Sequence, residues 1–467
     1  MRLSHPKLRH VMVTYELKKA PGVPLYEALY RCLREDILTG KLAPGEKLPS
    51  KRALAQNLEV SKITVETAYN QLLSEGYLYA REKVGYFVEQ VERRPRGVSS
   101  EPAAPAQSSP TWLLDLTENG TEGFPFSVWM KLQREVMLDY GQTLLRPLPN
   151  RGIPQLRRAI ARHLGQFRGM RVDPENIILG AGTDFLYNLL IQLLGREKIY
   201  AVEEPGYGKI RKIYAAGGVR CVSAYLDSLG VIPESLEQAQ VLHCSPSHHY
   251  PTGLVTPVNR RLELLDWAGT DKWIIEDDYD SEFRFDAHPV PAMQALDGRG
   301  RVIYMNTFTK TLAPSIRISY MVLPGELMHV FQKRLGFYSC TVPSFEQYTL
   351  ARFLDRGYFE KHINRMRKSY KSRRNTVISL LRHCAFSEKL TILEQDAGLH
   401  FLLRVDTPLS DGELTARLAQ AGIRVRALSE FYQEGTAQRG YLVVNYSGIQ
   451  EEDLKKALEA IEERMEP

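Results

Sequence analysis

Apolar residues recur every three or four positions near the start of the chain, as they do on one face of a helix. The first such stretch carries four of them, at Leu25, Leu29, Leu33 and Ile37. Ser50 and Ser61 are the predicted N-caps of two further helices. Two short β-type runs follow, which are typical of a hairpin. This order of elements predicts a winged helix-turn-helix domain over residues 24–90, preceded by an N-terminal arm over residues 1–23.

The rest of the chain alternates short apolar runs with helical patterns. The runs predict buried strands, the clearest at residues 177–179, 199–202, 241–244, 273–275, 301–306 and 318–323. Longer patterns predict helices over residues 326–335 and 347–375. The stretch 91–110 is rich in Pro, Ser and Ala and lacks apolar periodicity, which indicates a linker. We expect an α/β domain over residues 111–467, with a small-domain part from about residue 375.

A lysine with hydroxyl neighbours follows the predicted strand 301–306. Lys310 stands beside Thr307 and Thr309, and Arg317 comes seven residues later. A lysine amine can form a Schiff base with an aldehyde cofactor, while hydroxyls and a guanidinium can hold a phosphate group. The alternative is a lysine at the start of a helix on a surface loop.

An acidic stretch follows the predicted strand 273–275. Ligands of open α/β sheets bind at the carboxyl ends of strands, so these acids are candidates for a site. Asp277 and Tyr279 are two residues apart and can face the same side of an extended segment. A carboxylate there suits the pyridine nitrogen of pyridoxal phosphate. The alternatives are an acidic surface loop or a divalent-metal site formed by Asp277, Asp278 and Asp280, for which the spaced ligand loop of a calcium site is missing.

Small residues follow the predicted strand 177–179. Gly182 and Thr183 stand where a helix should begin, and backbone N–H groups at a helix N-terminus can close on a phosphate. A plain strand-to-helix turn is the alternative. His248 and His249 could suggest a metal site, but adjacent histidines point apart in an extended chain, so we predict no metal.

Three segments carry a family resemblance. The segments EDDYDSEFRF and TFTKTLAPSIR, in that order, resemble the MocR/GabR group of bacterial regulators. The string LPSKRALAQNLEVSKITVETAYNQLLSEGYL is similar to the GntR family of winged helices. The resemblance covers nearly the whole chain. It implies a winged helix fused to a domain like the fold-type-I aminotransferases, with large and small domains and pyridoxal phosphate as cofactor.

The resemblance also implies roles for single residues. Lys310 would hold the cofactor as an internal aldimine, Asp277 would pair with its pyridine nitrogen, and Tyr279 with its phenolic oxygen. The ring of Tyr207 would stack on the cofactor. The phosphate group of the cofactor would be held by five further residues, Thr307, Thr309, Arg317, Gly182 and Thr183.

Two departures from the aminotransferase pattern bear on activity. The segment SPSHHYPTG resembles the NPxNPTG turn, but Tyr250 replaces the asparagine that bonds the phenolic oxygen. Aminotransferases bind the substrate carboxylate with an arginine in the last strand, and the position that matches this arginine is occupied by Val443 here. Three arginines are candidates to replace it, Arg439, Arg424 and Arg426. These three arginines and Tyr250 form the predicted effector-binding set. Because the asparagine and the arginine of the aminotransferase pattern are both replaced, we do not expect full transaminase activity.

The third helix of a winged helix-turn-helix enters the major groove by its N-terminal end. The candidate DNA contacts are therefore on this helix, the helix before it and the wing, at Ser61, Lys62, Thr64, Arg52 and Lys83. Residues 24–90 carry nine basic and nine acidic side chains, so charge alone does not favour DNA. A winged helix used for protein contacts is the alternative.

Composition and charge indicate the cellular compartment and the class of partner. The net charge of +6 is compatible with nucleic acid, and five scattered cysteines without a CxxC pair indicate reduced thiols in a cytoplasmic protein. We find no signal peptide and no apolar run long enough to span a membrane. We expect a homodimeric, effector-responsive regulator in which an amino ligand reacts at Lys310 and alters binding to operator DNA. The alternative is an active aminotransferase with a fused DNA-binding domain.

Overall fold

The computed structural model describes residues 15, 17, 24–91, 112–118, 120, 123–285, 290–393, 398–434 and 438–465. The chain divides into two compact units, residues 1–109 and 110–467. Most of the predicted arm and nearly all of the predicted linker lie outside the described residues. None of the helices in the described part of the chain is both long enough and apolar enough to cross a membrane.

The first unit contains three helices and a two-stranded hairpin, which confirms the winged helix-turn-helix prediction. The elements are α1 (Leu25–Thr39), α2 (Lys51–Asn57), α3 (Lys62–Ser74), β1 (Leu78–Arg81) and β2 (Gly85–Val88). Ser50 caps α2 by accepting the N–H of Ala53, and Ser61 caps α3 by accepting that of Thr64. Tyr15, from the predicted arm, packs against this core and donates to Asp36 at 2.6 Å.

An eight-stranded sheet organises the second unit. Its strands run in the order β4-β11-β10-β9-β8-β5-β6-β7. They are, in chain order, β4 (Ile177–Gly180), β5 (Ile199–Glu204), β6 (Arg220–Asp227), β7 (Gly230–Val231), β8 (Val241–Cys244), β9 (Trp273–Asp277), β10 (Val302–Thr307) and β11 (Ser319–Val322), and β3 (Leu114–Asp115) precedes them. β4, β10, β9, β8, β5 and β6 run in one direction, while β11 and β7 run against them.

Helices cover both faces of this sheet. They are α4 (Phe126–Tyr140), α5 (Pro154–Arg168), α6 (Thr183–Leu194), α7 (Gly208–Ala216), α8 (Val258–Ala268), α9 (Met293–Leu296), α10 (Phe308–Thr311), α11 (Gly325–Leu335), α12 (Ser344–Asp355) and α13 (Tyr358–His383). On β9, Ile275 belongs to the apolar cluster of α6 and Ile274 to that of α8, because successive side chains of a strand point to opposite faces. The predicted helix over residues 347–375 is wrong as a single helix, because Gly357, with φ of 69°, separates α12 from α13.

A second sheet lies near the C-terminus. It has four antiparallel strands in the order β12 (Leu390–Leu393), β13 (His400–Val405), β16 (Tyr441–Asn445) and β15 (Arg426–Ala427). The remaining elements are α14 (Asp411–Gln420), β14 (Ile423–Arg424) and α15 (Glu451–Met465). β14 pairs in parallel with β3, so the segment Leu114–Asp115 packs with the C-terminal part of the chain.

Candidate functional site

The topology of the large sheet gathers the predicted site residues at one edge. β9 and β10 end there with Asp277 and Thr307, and Lys310 follows on α10. β11 runs in the opposite direction, so its beginning lies at this edge, and Arg317 precedes it. Ser319 at its start pairs with Thr307 on one side and with Gly180 at the end of β4 on the other. Gly182 and Thr183 follow that glycine.

Asp277 is a buried carboxylate at the end of β9. Its Oδ2 accepts the hydroxyl proton of Tyr187 and lies 3.5 Å from Nε2 of His243. Its Oδ1 has no hydrogen-bond partner among the described residues, and no lysine or arginine there forms an ion pair with it. Because a buried, unneutralised carboxylate is unfavourable, this geometry suits a ligand that brings a protonated nitrogen.

Sequence reasoning missed both residues that hold Asp277. Tyr187 is one helical turn after Thr183 on α6, so both residues lie on the same face of that helix. His243 lies on β8, the strand beside β9, and its Nδ1 is 2.6 Å from the hydroxyl of Tyr214. A histidine inside a predicted buried strand was the available signal.

Asp278 faces the other side of the sheet. Its Oδ2 accepts from Tyr304 at 2.6 Å and from Ser281 at 2.8 Å, and lies 3.0 Å from Nε of Arg168. Its Oδ1 also lacks a hydrogen bond, but Arg168 neutralises the charge. Asp280 turns instead to His248, at 2.8 Å. The three carboxylates of the alternative metal site thus have separate partners, and no group of three metal-ligating side chains occurs in the described ranges.

Lys310 is partly buried on α10, which disfavours the alternative of a lysine on a surface loop. Burial lowers the pKa of its amine below the ordinary value, and the charge of Asp280 only partly offsets this. A lowered pKa increases the share of neutral amine, which is the form that attacks a carbonyl group.

Gly182 and Arg317 form a tight corner at the start of α6. The backbone of Gly182 has φ of 91°, and a Cβ there would stand 2.1 Å from Nη2 of Arg317. That nitrogen donates to the carbonyl of Ala181 at 3.4 Å and lies 3.6 Å from Asp184. Thr183 is the first residue of α6. The structure therefore brings together a guanidinium, a helix N-terminus and a position where a side chain does not fit, which suits a phosphate.

The hydroxyl of Thr307 takes part in the protein's own hydrogen bonds. It accepts the N–H of Thr309 at 3.1 Å and the hydroxyl proton of Ser319 at 2.8 Å, and it donates to the hydroxyl of Thr309 at 2.8 Å. Thr307 is thereby the N-cap of α10, the short helix that carries Lys310. A phosphate contact for Thr307 or Thr309 stays a prediction.

Two histidines lie beside Tyr279: His248, which the sequence suggested only as a metal ligand, and His400, which the sequence reasoning missed. The Tyr279 hydroxyl is 3.2 Å from Nδ1 of His248, and the rings of His248 and His400 are 4.7 Å apart. Burial and then Asp280 raise the pKa of Tyr279 well above its ordinary value. Burial, followed by neighbours that include Lys310, lowers the pKa of His400. Tyr279 and Lys310 therefore share one cluster of titratable groups.

Glu203 is a buried carboxyl group near the end of β5. Both of its carboxyl oxygens lie 3.1 Å from the N–H of Ser245, and Oε2 is 3.5 Å from Nε2 of His249. Burial raises the pKa of Glu203 to about 8 and lowers that of His249 to about 3. His249 also contacts Thr252 at 2.7 Å. The adjacent histidines thus have different partners, as we expect for an extended chain.

The predicted DNA contacts of the first unit lie at the start of α3, on α2 and in the wing. Arg52, Lys62 and Lys83 are exposed, and Lys83 occupies the hairpin turn with φ of 59°. The Ser61 hydroxyl is 2.8 Å from that of Thr64, within the cap of α3. The exposed cations stay candidates for phosphate contact, while the two hydroxyls already stabilise the helix end.

Comparisons with known proteins match this arrangement. The family of bacterial regulatory proteins named gntR matches residues 25–88, and the aminotransferase class I and II family matches residues 111–461. The uncharacterized HTH-type transcriptional regulator YdeL of Bacillus subtilis is 36% identical, over 96% of this chain and 98% of that protein. The probable rhizopine catabolism regulatory protein MocR of Rhizobium meliloti is 34% identical, over 95% and 94%. The chain belongs to the MocR-type regulators.

Solved structures confirm the fold class of the MocR-type second unit. The kynurenine aminotransferase of Pyrococcus horikoshii superposes with a TM-score of 0.66 and 25% identity, covering 77% of this chain and 93% of that chain. An archaeal alanine:glyoxylate aminotransferase gives the same TM-score at 23% identity, covering 75% and 91%. The predicted fusion of a winged helix to a fold-type-I aminotransferase-like domain is therefore confirmed.

The MocR-type chain has an apolar cluster around Val443, where the resemblance predicts the carboxylate-binding arginine of an aminotransferase. Val443 is buried on β16 among apolar side chains that include Leu402, Leu428 and Phe431. Tyr250 packs on this cluster, with its ring 5.3 Å from Phe431, 5.1 Å from His400 and 6.0 Å from Tyr207. Tyr207 itself is 45% exposed, so its ring is accessible to a ligand.

The three candidate arginines have different surroundings. Arg426 is the cross-strand partner of Val443, and its guanidinium lies 4.1 Å from the centre of the Phe431 ring. Arg424 points to β3, where it pairs with Asp115 at 3.1 Å. Arg439 is exposed before the start of β16, whereas His400 pairs with Asn445 at the other end of that strand. The structure thus brings only Arg426 of the three to Tyr250.

Proposed function

We propose that this MocR-type regulator binds pyridoxal phosphate at the Asp277 edge of the sheet and that an amino-containing effector changes its binding to operator DNA. The buried Oδ1 of Asp277, which lacks both a hydrogen bond and a cationic partner in the described chain, carries the proposal. A protonated pyridine nitrogen supplies what this oxygen needs. Regulation fits a ligand that binds one conformation of a protein better than another, because such a ligand shifts the equilibrium between them.

The residues present fit the cofactor. Asp277 would face its ring nitrogen, Tyr279 its phenolic oxygen, and Tyr207 the face of its ring. Arg317 would hold the phosphate, together with the other residues of that corner and the α10 cap, Gly182, Thr183, Thr307 and Thr309. When bound, the cofactor supplies an aldehyde carbon that can be joined to the Lys310 amine or to the amine of a ligand.

Borohydride reduction tests the cofactor site. We expect the purified protein to absorb visible light and reduction to fix the cofactor on Lys310, as read by mass spectrometry of peptides. Lys310→Ala should abolish the fixed adduct. The exposed Lys212 on α7 provides the control, and Lys212→Ala should behave like the wild type. A reducible adduct that persists in Lys310→Ala contradicts the assignment.

A regulator is favoured over an enzyme by the buried Val443. Transamination needs the substrate held so that a proton leaves the α-carbon in the right direction, and poor orientation alone reduces the rate by about 10²-fold. The apolar cluster around Val443 cannot grip a carboxylate in the way an arginine on the same strand would. We therefore expect the effector to bind and alter the operator complex without sustained turnover.

Turnover is measured by incubating protein, effector and a keto acid and following new amino acid. The same effector is tested in an operator-binding assay. Less than one turnover per site per hour, together with an effector-dependent change in operator affinity, supports the regulator. Many turnovers per minute without any change in operator affinity would establish the alternative, an active aminotransferase with a fused DNA-binding domain.

Arg426 is the best-placed cation for an acidic group on the effector. Its side chain is on the same face of the sheet as Val443, since directly opposite residues of paired strands share a face. Its Nε contacts Glu430 at 3.1 Å, and its two Nη atoms have no hydrogen bond to the described residues. Two free N–H groups of one guanidinium suit a carboxylate. We infer that the effector carries an amine and a carboxylate.

Matched ligands and variants test the role of Arg426. Amino acids and the corresponding amines without the carboxylate are compared by the shift in cofactor absorbance. Arg426→Gln should reduce affinity for the amino acids about tenfold or more and leave the amines unchanged. Arg424→Gln, which disrupts the contacts with Asp115 and Glu118 instead, is the control. Equal losses for both ligand classes would contradict a carboxylate contact.

A homodimer is supported by α4. This helix buries Trp129, Leu132 and Val136, yet its other face exposes further large apolar side chains, Phe126, Met130, Met137 and Leu138. Apolar residues on both faces indicate a helix with a second partner. We propose that a second copy of the chain covers this face and that the paired winged helices bind two half-sites of bacterial operator DNA in the cytoplasm.

A further inference from the structure

The first turn of α3 presents few free side chains to a partner. Ser61 caps the helix and contacts the hydroxyl of Thr64 at 2.8 Å, while Glu66 pairs with Lys51 at 2.8 Å. These three polar groups are therefore already used inside the domain. Two side chains of this turn remain exposed without such contacts in the described chain, those of Lys62 and Ile63.

Ile63 is the unusual member of the pair. Its side chain is 73% exposed, whereas the other exposed large apolar side chains described in this unit, Leu38 and Val84, are 38% and 49% exposed. The core face of α3 is formed by Val65, Ala68, Tyr69 and Leu72, to which Ile63 does not belong. A single exposed isoleucine is ordinary on a protein surface. At the tip of a helix proposed to enter the major groove, however, an exposed apolar side chain is available for contact with base edges.

We propose that Ile63 reads a thymine in the operator by packing against its 5-methyl group. In the major groove thymine alone presents a methyl group, and apolar side chains distinguish it from the other bases by contact. Isoleucine has no donor or acceptor for base edges, so methyl contact is the readout open to it. The neighbouring Lys62 can bind a phosphate at the same time. The inference rests on the proposed use of α3 in the major groove.

The test compares thymine with deoxyuridine, which differs only by lacking that methyl group. Full-length protein first selects duplexes from a randomised DNA library. Each thymine of the selected duplex is then replaced singly by deoxyuridine, and affinity is measured by fluorescence anisotropy. We expect replacement at one thymine per half-site to weaken binding about fourfold, the effect of one buried methyl group. Ile63→Ala should bind the thymine and deoxyuridine duplexes equally.

Further measurements distinguish loss of the methyl contact from a general loss of DNA affinity. Leu38→Ala removes another exposed apolar side chain, on α1, and should retain the full response to deoxyuridine. The salt dependence of Ile63→Ala should equal that of the wild type, since the phosphate contacts are unchanged. Circular dichroism confirms folding, and Ile63→Val provides a second variant with an intermediate response.

Three results overturn the inference. The first is a wild type that tolerates deoxyuridine at every position of the selected duplex. The second is an Ile63→Ala variant that is as sensitive to deoxyuridine as the wild type, since another residue would then contact the methyl group. In both cases operator binding itself stands. The third is a protein that enriches no duplex, which refutes the use of α3 in the groove and the inference with it.

Discussion

Two neighbouring carboxylates should have different roles: Asp277 in binding the cofactor and Asp278 in stabilising the fold. Asp277 accepts one hydrogen bond, from Tyr187, and its Oδ1 has no hydrogen-bond partner among the described residues. Asp278 has hydrogen bonds from two hydroxyl groups and an ion pair with Arg168 at 3.0 Å, with both partners buried. We expect Asp277→Asn to lower the affinity for the cofactor and Asp278→Asn to lower the free energy of unfolding.

The magnitudes follow from these contacts. A hydrogen bond to a charged group contributes about 1.5–3 kcal/mol, so Asp277→Asn should raise the Kd for pyridoxal phosphate by about 10- to 150-fold. It should leave the cofactor-free protein as stable as the wild type or more stable, because it removes a buried charge that no described lysine or arginine neutralises. Removing one partner of a buried ion pair destabilises a protein by about 3–5 kcal/mol, which we expect for Asp278→Asn.

Both effects are measured on protein freed of cofactor by dialysis. Titration with pyridoxal phosphate, followed by absorbance, gives Kd, and thermal unfolding of the cofactor-free protein gives Tm. The expected pattern is a raised Kd with an unchanged or higher Tm for Asp277→Asn, and a Tm lower by several degrees with a nearly unchanged Kd for Asp278→Asn. The reverse pattern, or equal losses in both variants, would refute the reasoning from the contacts.

Three further predictions concern other parts of the chain. Burial raises the pKa of Glu203 to about 8 from 4.5, so the folded state keeps a proton that the unfolded chain releases. Its contribution to stability is complete below about pH 4.5 and is lost as the pH rises to 8, and the Tm of the wild type relative to Glu203→Gln should fall across this interval. On α4, Met130→Asp should convert the dimer to a monomer in light scattering, whereas Lys131→Asp, also exposed, should not. Lys62→Ala and Arg52→Ala should each weaken operator binding by about 1–3 kcal/mol, with a smaller salt dependence for a lost phosphate contact; unchanged affinity in both contradicts the proposed DNA surface.

The sequence by itself determined the features that depend on short stretches of chain. Ser50 and Ser61 are caps because a serine before a helix binds the free N–H groups of the first turn, whatever the rest of the protein does. The acid after one buried strand and the lysine after the next could be located because residues at strand ends follow from local patterns. Parallel strands then carry both to the same edge of the sheet.

Only the tertiary structure decided which distant residues meet these side chains. Tyr187 and His243 reach Asp277 because α6 and β8 pack beside β9, and neither contact leaves a signal in local periodicity. Arg426 stands opposite Val443 through the register of β15 and β16. A shift of one residue would have moved it to the other face. That register is set by burial of the apolar face across the whole small sheet, so it belongs to the packed domain and to no single segment.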